Sequence, residues 1–169
     1  MRRSLTRSRT RPHPRKHRTL GVALATGALA TGALAFAPGA AAVTPATATI
    51  TANCGIYGSG QATLTATQSG TAATITLTSS IAAPLALSAD SITSTLTFVK
   101  ASGGTTVFSG TKNPAMATGD AVTVGPLSGT VAPGDSLDAY GGSLKMVIFG
   151  ITVTCRAQGP QLPGPFVFD

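Results

Sequence analysis

The sequence predicts an all-β domain of about seven to nine short antiparallel strands, packed as two sheets and held by one disulfide. Three observations point there. From residue 46 onward, small or aliphatic residues alternate with threonine in one run after another. Turn-forming Gly, Pro, Ser and Asp residues punctuate those runs. The only two cysteines, Cys54 and Cys155, each end such a run.

Ahead of the domain lies a leader. The formal net charge is +7, yet eight of the twelve cations precede residue 19. Beyond them stand Lys100, Lys112, Lys145 and Arg156 against Asp90, Asp120, Asp135, Asp138 and Asp169, so the distal part is nearly neutral. A basic chain ordinarily suggests nucleic acid or an anionic membrane; here the charge belongs to the leader, and no nucleic-acid partner is expected. After Arg18 an apolar run covers residues 20–37, Pro38-Gly39 breaks it, and Ala40-Ala41-Ala42 offers small residues for a signal peptidase. A cut after Ala42 gives residues 1–42 as signal peptide, 43–157 as the β-domain and 158–169 as a Pro-rich tail. Arg2-Arg3-Ser4-Leu5 sits far from the apolar run, which favours the general secretory route over the twin-arginine one. The run is rich in Ala, Gly and Thr, so it reads as a cleaved signal rather than an anchor. No later segment is long enough to span a membrane.

The strands follow in order. Ala48, Ile50, Ala52 and Cys54 alternate with Thr47, Thr49 and Thr51; Ala62, Leu64 and Ala66 with Thr63, Thr65 and Thr67; Ala73, Ile75 and Leu77 with Thr74, Thr76 and Thr78. Period two marks strands with one buried and one wet face, and Gln68-Ser69-Gly70-Thr71 reads as the hairpin joining two of them. Threonine suits the outer face, because its β-branch favours extended backbone while its hydroxyl stays hydrated. Pro84 makes 81–87 an edge strand or an ordered loop. Residues 92–100 form a clear strand, and Ser102-Gly103-Gly104 turns it into 105–109. Shorter strands are expected at 121–124, 127–131 and 136–140, separated by Gly125-Pro126, Pro133-Gly134-Asp135 and Gly141-Gly142.

The last strand, 144–155, shifts parity at Gly150: Leu144, Met146 and Ile148 before it, Ile151, Val153 and Cys155 after it. A β-bulge at Gly150 would produce that shift and point Leu144, Ile148, Ile151, Val153 and Cys155 inward. No window shows helical spacing. This spacing of strands argues for an immunoglobulin-like sandwich over a barrel. Because many inward positions are alanine, a covalent tie across about a hundred residues would matter, removing on the order of 4–5 kcal/mol of unfolded-chain entropy. Phe166-Val167-Phe168 is expected to dock as a final short strand rather than hang as an exposed hook.

Chemistry is sparse. Past the leader, which holds His13 and His17, the chain has no histidine and no glutamate, which removes the usual general base and the usual zinc ligand. Asp120 and Asp135 sit in turn sequences, Gly119-Asp120 and Pro133-Gly134-Asp135, and Asp138 lies close to Asp135. The cysteines lack C-x-x-C spacing and read as structural. No catalytic residue, cofactor or metal site is expected, and the protein is read as no enzyme.

The basic Ala-rich leader, Thr51-Ala52-Asn53-Cys54-Gly55 and Ile151-Thr152-Val153-Thr154-Cys155 together resemble a group of small actinobacterial secreted immunoglobulin-like β-sandwich proteins of unknown function. The chain also resembles the immunoglobulin-like apoproteins that carry enediyne chromophores, although those have two disulfides and this chain has one cysteine pair. The resemblance supplies no catalytic residue. The expected role is a secreted structural or interaction module, in the medium or associated with the cell wall. Its partner would be an extracellular protein, a glycan or an envelope component, with Tyr57, Tyr140, Phe166 and Phe168 as contact points. The alternative is an extracellular carrier of a small apolar ligand, distinguished by a large apolar pocket.

Overall fold

A computed structural model describes residues 43–169; the expected signal peptide, 1–42, lies outside the described residues. The strands are β1 Thr47–Asn53, β2 Ser59–Ser69, β3 Ala72–Ala82, β4 Thr93–Lys100, β5 Thr105–Thr111, β6 Ala121–Thr130, β7 Ser136–Ile148, β8 Ile151–Ala157 and β9 Phe166–Val167. One turn of 3-10 helix, Gly55–Tyr57, interrupts the β1–β2 connection. No helix among the described residues is long and apolar enough to cross a membrane.

The all-β class holds, but the immunoglobulin-like sandwich does not. The strands run in the order β4-β5-β6-β3-β2-β1-β8-β7, and β4 pairs back onto β7, closing an eight-stranded antiparallel barrel. β9 is added outside it, on β7, through Ser136↔Val167 and Leu137↔Phe166. In an open sandwich β4 and β7 would be edges. Here β4 is paired on both sides, with β5 from Thr93↔Thr111 to Val99↔Thr105 and with β7 from Thr93↔Val147 to Lys100↔Leu137. Closure removes the edges that a sandwich must protect.

The alternation places side chains as the barrel requires. Ala48, Ile50, Ala52, Ala62, Leu64, Ala66, Ala73, Ile75 and Leu77 are buried, and the threonines between them lie outside or half-buried. On the outer wall the hydroxyls of facing threonines bond across strands: Thr67 with Thr74 at 2.7 Å, Thr93 with Thr111 at 3.1 Å, Thr123 with Thr78 at 3.2 Å. Such cross-strand pairs are the local unit of sheet stability.

Two expected strand pairs merge. Residues 121–124 and 127–131 belong to the single strand β6, whose register against β3 slips at Gly125-Pro126, between Leu77↔Val124 and Ile75↔Leu127. Likewise 136–140 and the start of 144–155 form one long β7, with extra residues at 139–142 accommodated as a bulge opposite β4. The bulge expected at Gly150 is instead a two-residue hairpin. Ile148 pairs with Ile151, and Phe149 and Gly150 turn the chain with φ of 50° and 78°. Positive φ at both central residues is the geometry that matches the twist of paired strands. The parity shift is therefore the turn itself. Leu144, Met146, Val153 and Cys155 are buried, whereas Ile148 is half-buried and Ile151 is 56 % exposed at the tip.

One end of the barrel is filled. Phe98 meets Phe108 edge-on at 5.7 Å and Phe166 at 6.1 Å between centroids, and all three, with Phe168, are fully buried. Gly129 makes room for this cluster, because a Cβ there would meet the Phe108 ring at 2.5 Å. The C-terminal segment closes the end. Leu162 exchanges backbone hydrogen bonds with Thr49, Val167 with Thr44, and Phe168 donates to the Asp135 carbonyl. Gln161, fully buried, accepts from the Ala139 amide at 3.0 Å and donates to the Gly164 carbonyl at 3.2 Å. Buried amides retained in this way are satisfied rather than costly.

The same end carries a carboxylate with a lowered pKa, Asp135. Asp135 accepts the Ala132 amide and pairs with Lys100 at 2.9 Å, and these contacts hold its pKa below the ordinary aspartate value. A lowered folded-state pKa contributes stability above the unfolded value, and that contribution is lost as pH falls through the folded one. Stability should accordingly decline as pH drops through the ordinary aspartate value and on below it. Asp135→Asn should flatten that part of the curve and lower stability at neutral pH. Urea unfolding of both proteins across this window checks it; parallel curves would refute the assignment.

Candidate functional site

The opposite end of the barrel is open. Four connections surround it: the 54–58 loop with its 3-10 turn, the long 83–92 loop, the 112–120 loop and the Phe149-Gly150 hairpin tip. The two long loops hold each other. Leu87 and Met116 exchange backbone hydrogen bonds, and Asn113, buried between them, accepts from the Ser91 and Ile92 amides and donates to the Ser88 and Pro114 carbonyls. Asp120 accepts the Ala117 amide within its own turn. The rim is thus held both by this bonding and by Ala83, Leu87, Ile92 and Met116, which the loops bury in the core.

Below the rim the barrel encloses an apolar cavity of about 390 Å³. Its wall includes Ala52, Ala62, Leu77, Leu96, Ala139 and Met146, drawn from five of the eight barrel strands. Eight-stranded barrels are just wide enough for side chains to fill them or for one small ligand. Here the large aromatics occupy the closed end, and small or flexible side chains line the other. That distribution leaves the space.

The disulfide forms part of this wall. Cys54 and Cys155 are both buried, joined, and line the cavity. They tie β1 to β8, which are neighbours in the barrel but share only two ladder pairs, Ala52↔Ala157 and Asn53↔Arg156. Beyond that point β8 residues 151–154 pair with β7 alone, and the turn at Gly55–Tyr57 stands beside them.

Around the mouth the exposed side chains are apolar. Ile56 is 94 % exposed and Phe149 70 %, and Tyr57, Leu85 and Ile151 are exposed beside them, all lining the cavity. Phe149 occupies the left-handed region, where a non-glycine residue is uncommon and strained. An aromatic held there, outside any core, is not explained by folding.

The residues picked from sequence separate into three places. Tyr57 is at the mouth with Cys54 and Cys155 in the wall behind it. Tyr140 is exposed on the outer wall, its amide donating to Asp138. Phe166 and Phe168 are core residues of the closed end, removed from the surface. Sequence reasoning missed Ile56, Leu85, Phe149 and Ile151. The available signal was an aromatic before Gly150 in a two-residue turn, where Asn or Asp would be ordinary. Asp120, Asp135 and Asp138 each accept a nearby backbone amide, and no cluster of three or more His, Cys, Asp or Glu able to hold a metal ion occurs among the described residues.

Two measurements follow. Replacing both cysteines by alanine should lower unfolding free energy by on the order of 4–5 kcal/mol, the entropy of closing a loop spanning 101 residues; denaturant titration reads it. Phe149→Asn should relieve the turn and raise stability by about 1 kcal/mol, because Asn tolerates the left-handed region that strains an aromatic. A destabilised Phe149→Asn protein would show that the aromatic supports the fold.

Compared with family models, with curated proteins and with solved structures, the chain finds no match.

Proposed function

We propose that this protein is a non-enzymatic extracellular carrier that holds a small apolar ligand inside its barrel. One observation carries this: a cavity of about 390 Å³, walled almost wholly by apolar side chains and opening through an exposed apolar rim. Binding sites for small molecules are commonly preformed concavities of roughly 300–1,000 Å³ with apolar linings and few polar groups. A cavity this size in an otherwise close-packed interior forfeits packing contacts. Its retention is understandable if something fills it.

An extracellular location is supported by the leader and by the disulfide, which persists in oxidising compartments. The other reading, a structural or interaction module contacting protein, glycan or envelope, has less to recommend it. Of its expected contact residues only Tyr57 and Tyr140 are exposed, and they lie apart, one at the mouth and one on the outer wall.

The test is occupancy of the cavity. Native mass spectrometry of the purified protein should reveal an organic-extractable ligand or, after extraction, uptake of one apolar fluorescent probe per chain. Ala52→Phe should fill the space and abolish uptake, at a stability change of no more than about 1–3 kcal/mol. A folded protein that takes up no apolar probe would overturn the proposal.

A further inference from the structure

We infer that the mouth of the barrel docks on an anionic lipid bilayer, and that the apolar ligand enters the cavity from that bilayer. This rests on the carrier reading above and specifies where the ligand is collected.

The mouth is apolar at its most projecting points. Ile56, Tyr57, Leu85, Phe149 and Ile151 are exposed around one opening. The three stretches that carry them, 54–58, 83–87 and 148–152, hold no charged residue. Phe149 stands at the tip of the β7–β8 hairpin in a strained backbone conformation, and the outward Val147 continues the apolar strip behind it. Exposed apolar side chains gathered at one end mark a contact surface, where single scattered ones do not.

Charge selects the partner. Lys145 and Arg156 are exposed on the outer wall of the same hairpin, and neither has an ion-pair partner among the described residues. Lys145 pairs with Thr154, and Arg156 lies two residues further along that strand, opposite Asn53 at the end of β1. The two cations are therefore diagonal neighbours on one face. Lys145 lies four residues behind Phe149, about 13 Å along the strand. Barrel strands tilt by about 35–45°, so the height is about 10 Å along the axis. Sinking the tip by roughly 5–10 Å into the boundary between head groups and acyl chains thus brings Lys145 to the level of the head groups.

The remaining charges point the same way. Around the mouth Lys112, Lys145 and Arg156 stand against Asp90 and Asp120. At the closed end Lys100 stands against Asp135, Asp138 and Asp169, placed by the Lys100 ion pair, by the pairing of Val99 with Asp138 and by the bond from Asp169 to Gln68. The mouth is net positive and the closed end net negative, a polarity that turns the mouth toward an anionic surface.

These features act together. An apolar insertion alone gives marginal, reversible attachment, and a basic patch beside it supplies the second signal that stable attachment takes. A ligand suited to this cavity is itself apolar and partitions into bilayers. A mouth held in lipid lets it pass into the barrel without crossing water.

Flotation of the purified protein with vesicles of phosphatidylcholine, with and without phosphatidylglycerol, tests the docking. At low ionic strength the native protein should bind the phosphatidylglycerol vesicles about tenfold more tightly, and the preference should fade as salt is raised. Ile56→Ser combined with Phe149→Asn should lose binding to both kinds of vesicle. Lys145→Gln combined with Arg156→Gln should lose the preference alone, each cation being worth roughly fivefold. Native protein that floats with neither vesicle, or an Ile56→Ser, Phe149→Asn protein that floats as the native one does, would overturn the docking. A dimer in gel filtration that this apolar variant loses would also overturn it, by assigning the rim to a second copy of the chain. Uptake of a soluble apolar probe without vesicles keeps the two readings apart. Native protein that takes up the probe yet floats with neither vesicle leaves the carrier standing, whereas failure in both assays overturns both. Melting curves confirm that the variants keep the fold.

Discussion

The open half of this barrel depends on how β8 meets β1. Every other neighbouring pair except β5–β6 and the short β9 is zipped over several residues, but this seam has two rungs. The Cys54–Cys155 bond stands where the hydrogen-bond ladder ends, and it substitutes a covalent tie for the missing rungs. It holds the β7–β8 hairpin, which projects past the end of β1, in place over the mouth. Without it the wall would rest on two backbone pairs and the packing of alanines, which bury little area. At the far half of the same seam the C-terminal segment does the corresponding job, bonding Thr49 and Thr44 through Leu162 and Val167.

Packing then divides the barrel into two unlike halves. Four fully buried phenylalanines, with Gly129 allowing the close approach of one of them, fill the closed end. Toward the mouth the inward positions are alanine, leucine and methionine, and the strands are not drawn together to compensate, because barrel radius is set by strand number and stagger rather than by local side-chain volume. A fixed radius with small side chains leaves a space. The same constraint that closes the sheet therefore creates the cavity, and the loops bonded to one another around Asn113 keep it open.

Much of this was legible. Threonine alternation located the strands and their inner faces residue by residue, because the pleat allows no other period. Turn chemistry accounted for Asp120 and Asp135, whose carboxylates accept amides three residues earlier in the chain. Misreadings arose where two structures share one pattern. A parity shift belongs equally to a bulge and to a two-residue hairpin, and Phe149 at positive φ disguised the turn. Gly125-Pro126 marks a strand end or a slip in register, and only pairing with β3 shows which. Phe166-Val167-Phe168 docks on β7 as the final strand that the sequence predicts, but its two phenylalanines, expected also as contact points, are buried and belong to the core.

By itself the sequence determined the all-β class, the disulfide, the threonine-coated outer face and the absence of histidine and glutamate past the leader. These are local or compositional properties, set by period, residue type and count. Only the tertiary structure decided that the sheet closes, since a half-buried strand has the same alternation in a sandwich and in a barrel, and closure turns on whether β4 finds β7 some forty residues away. The cavity followed from that closure. It is a property of what the inward side chains leave unfilled, which no single strand records.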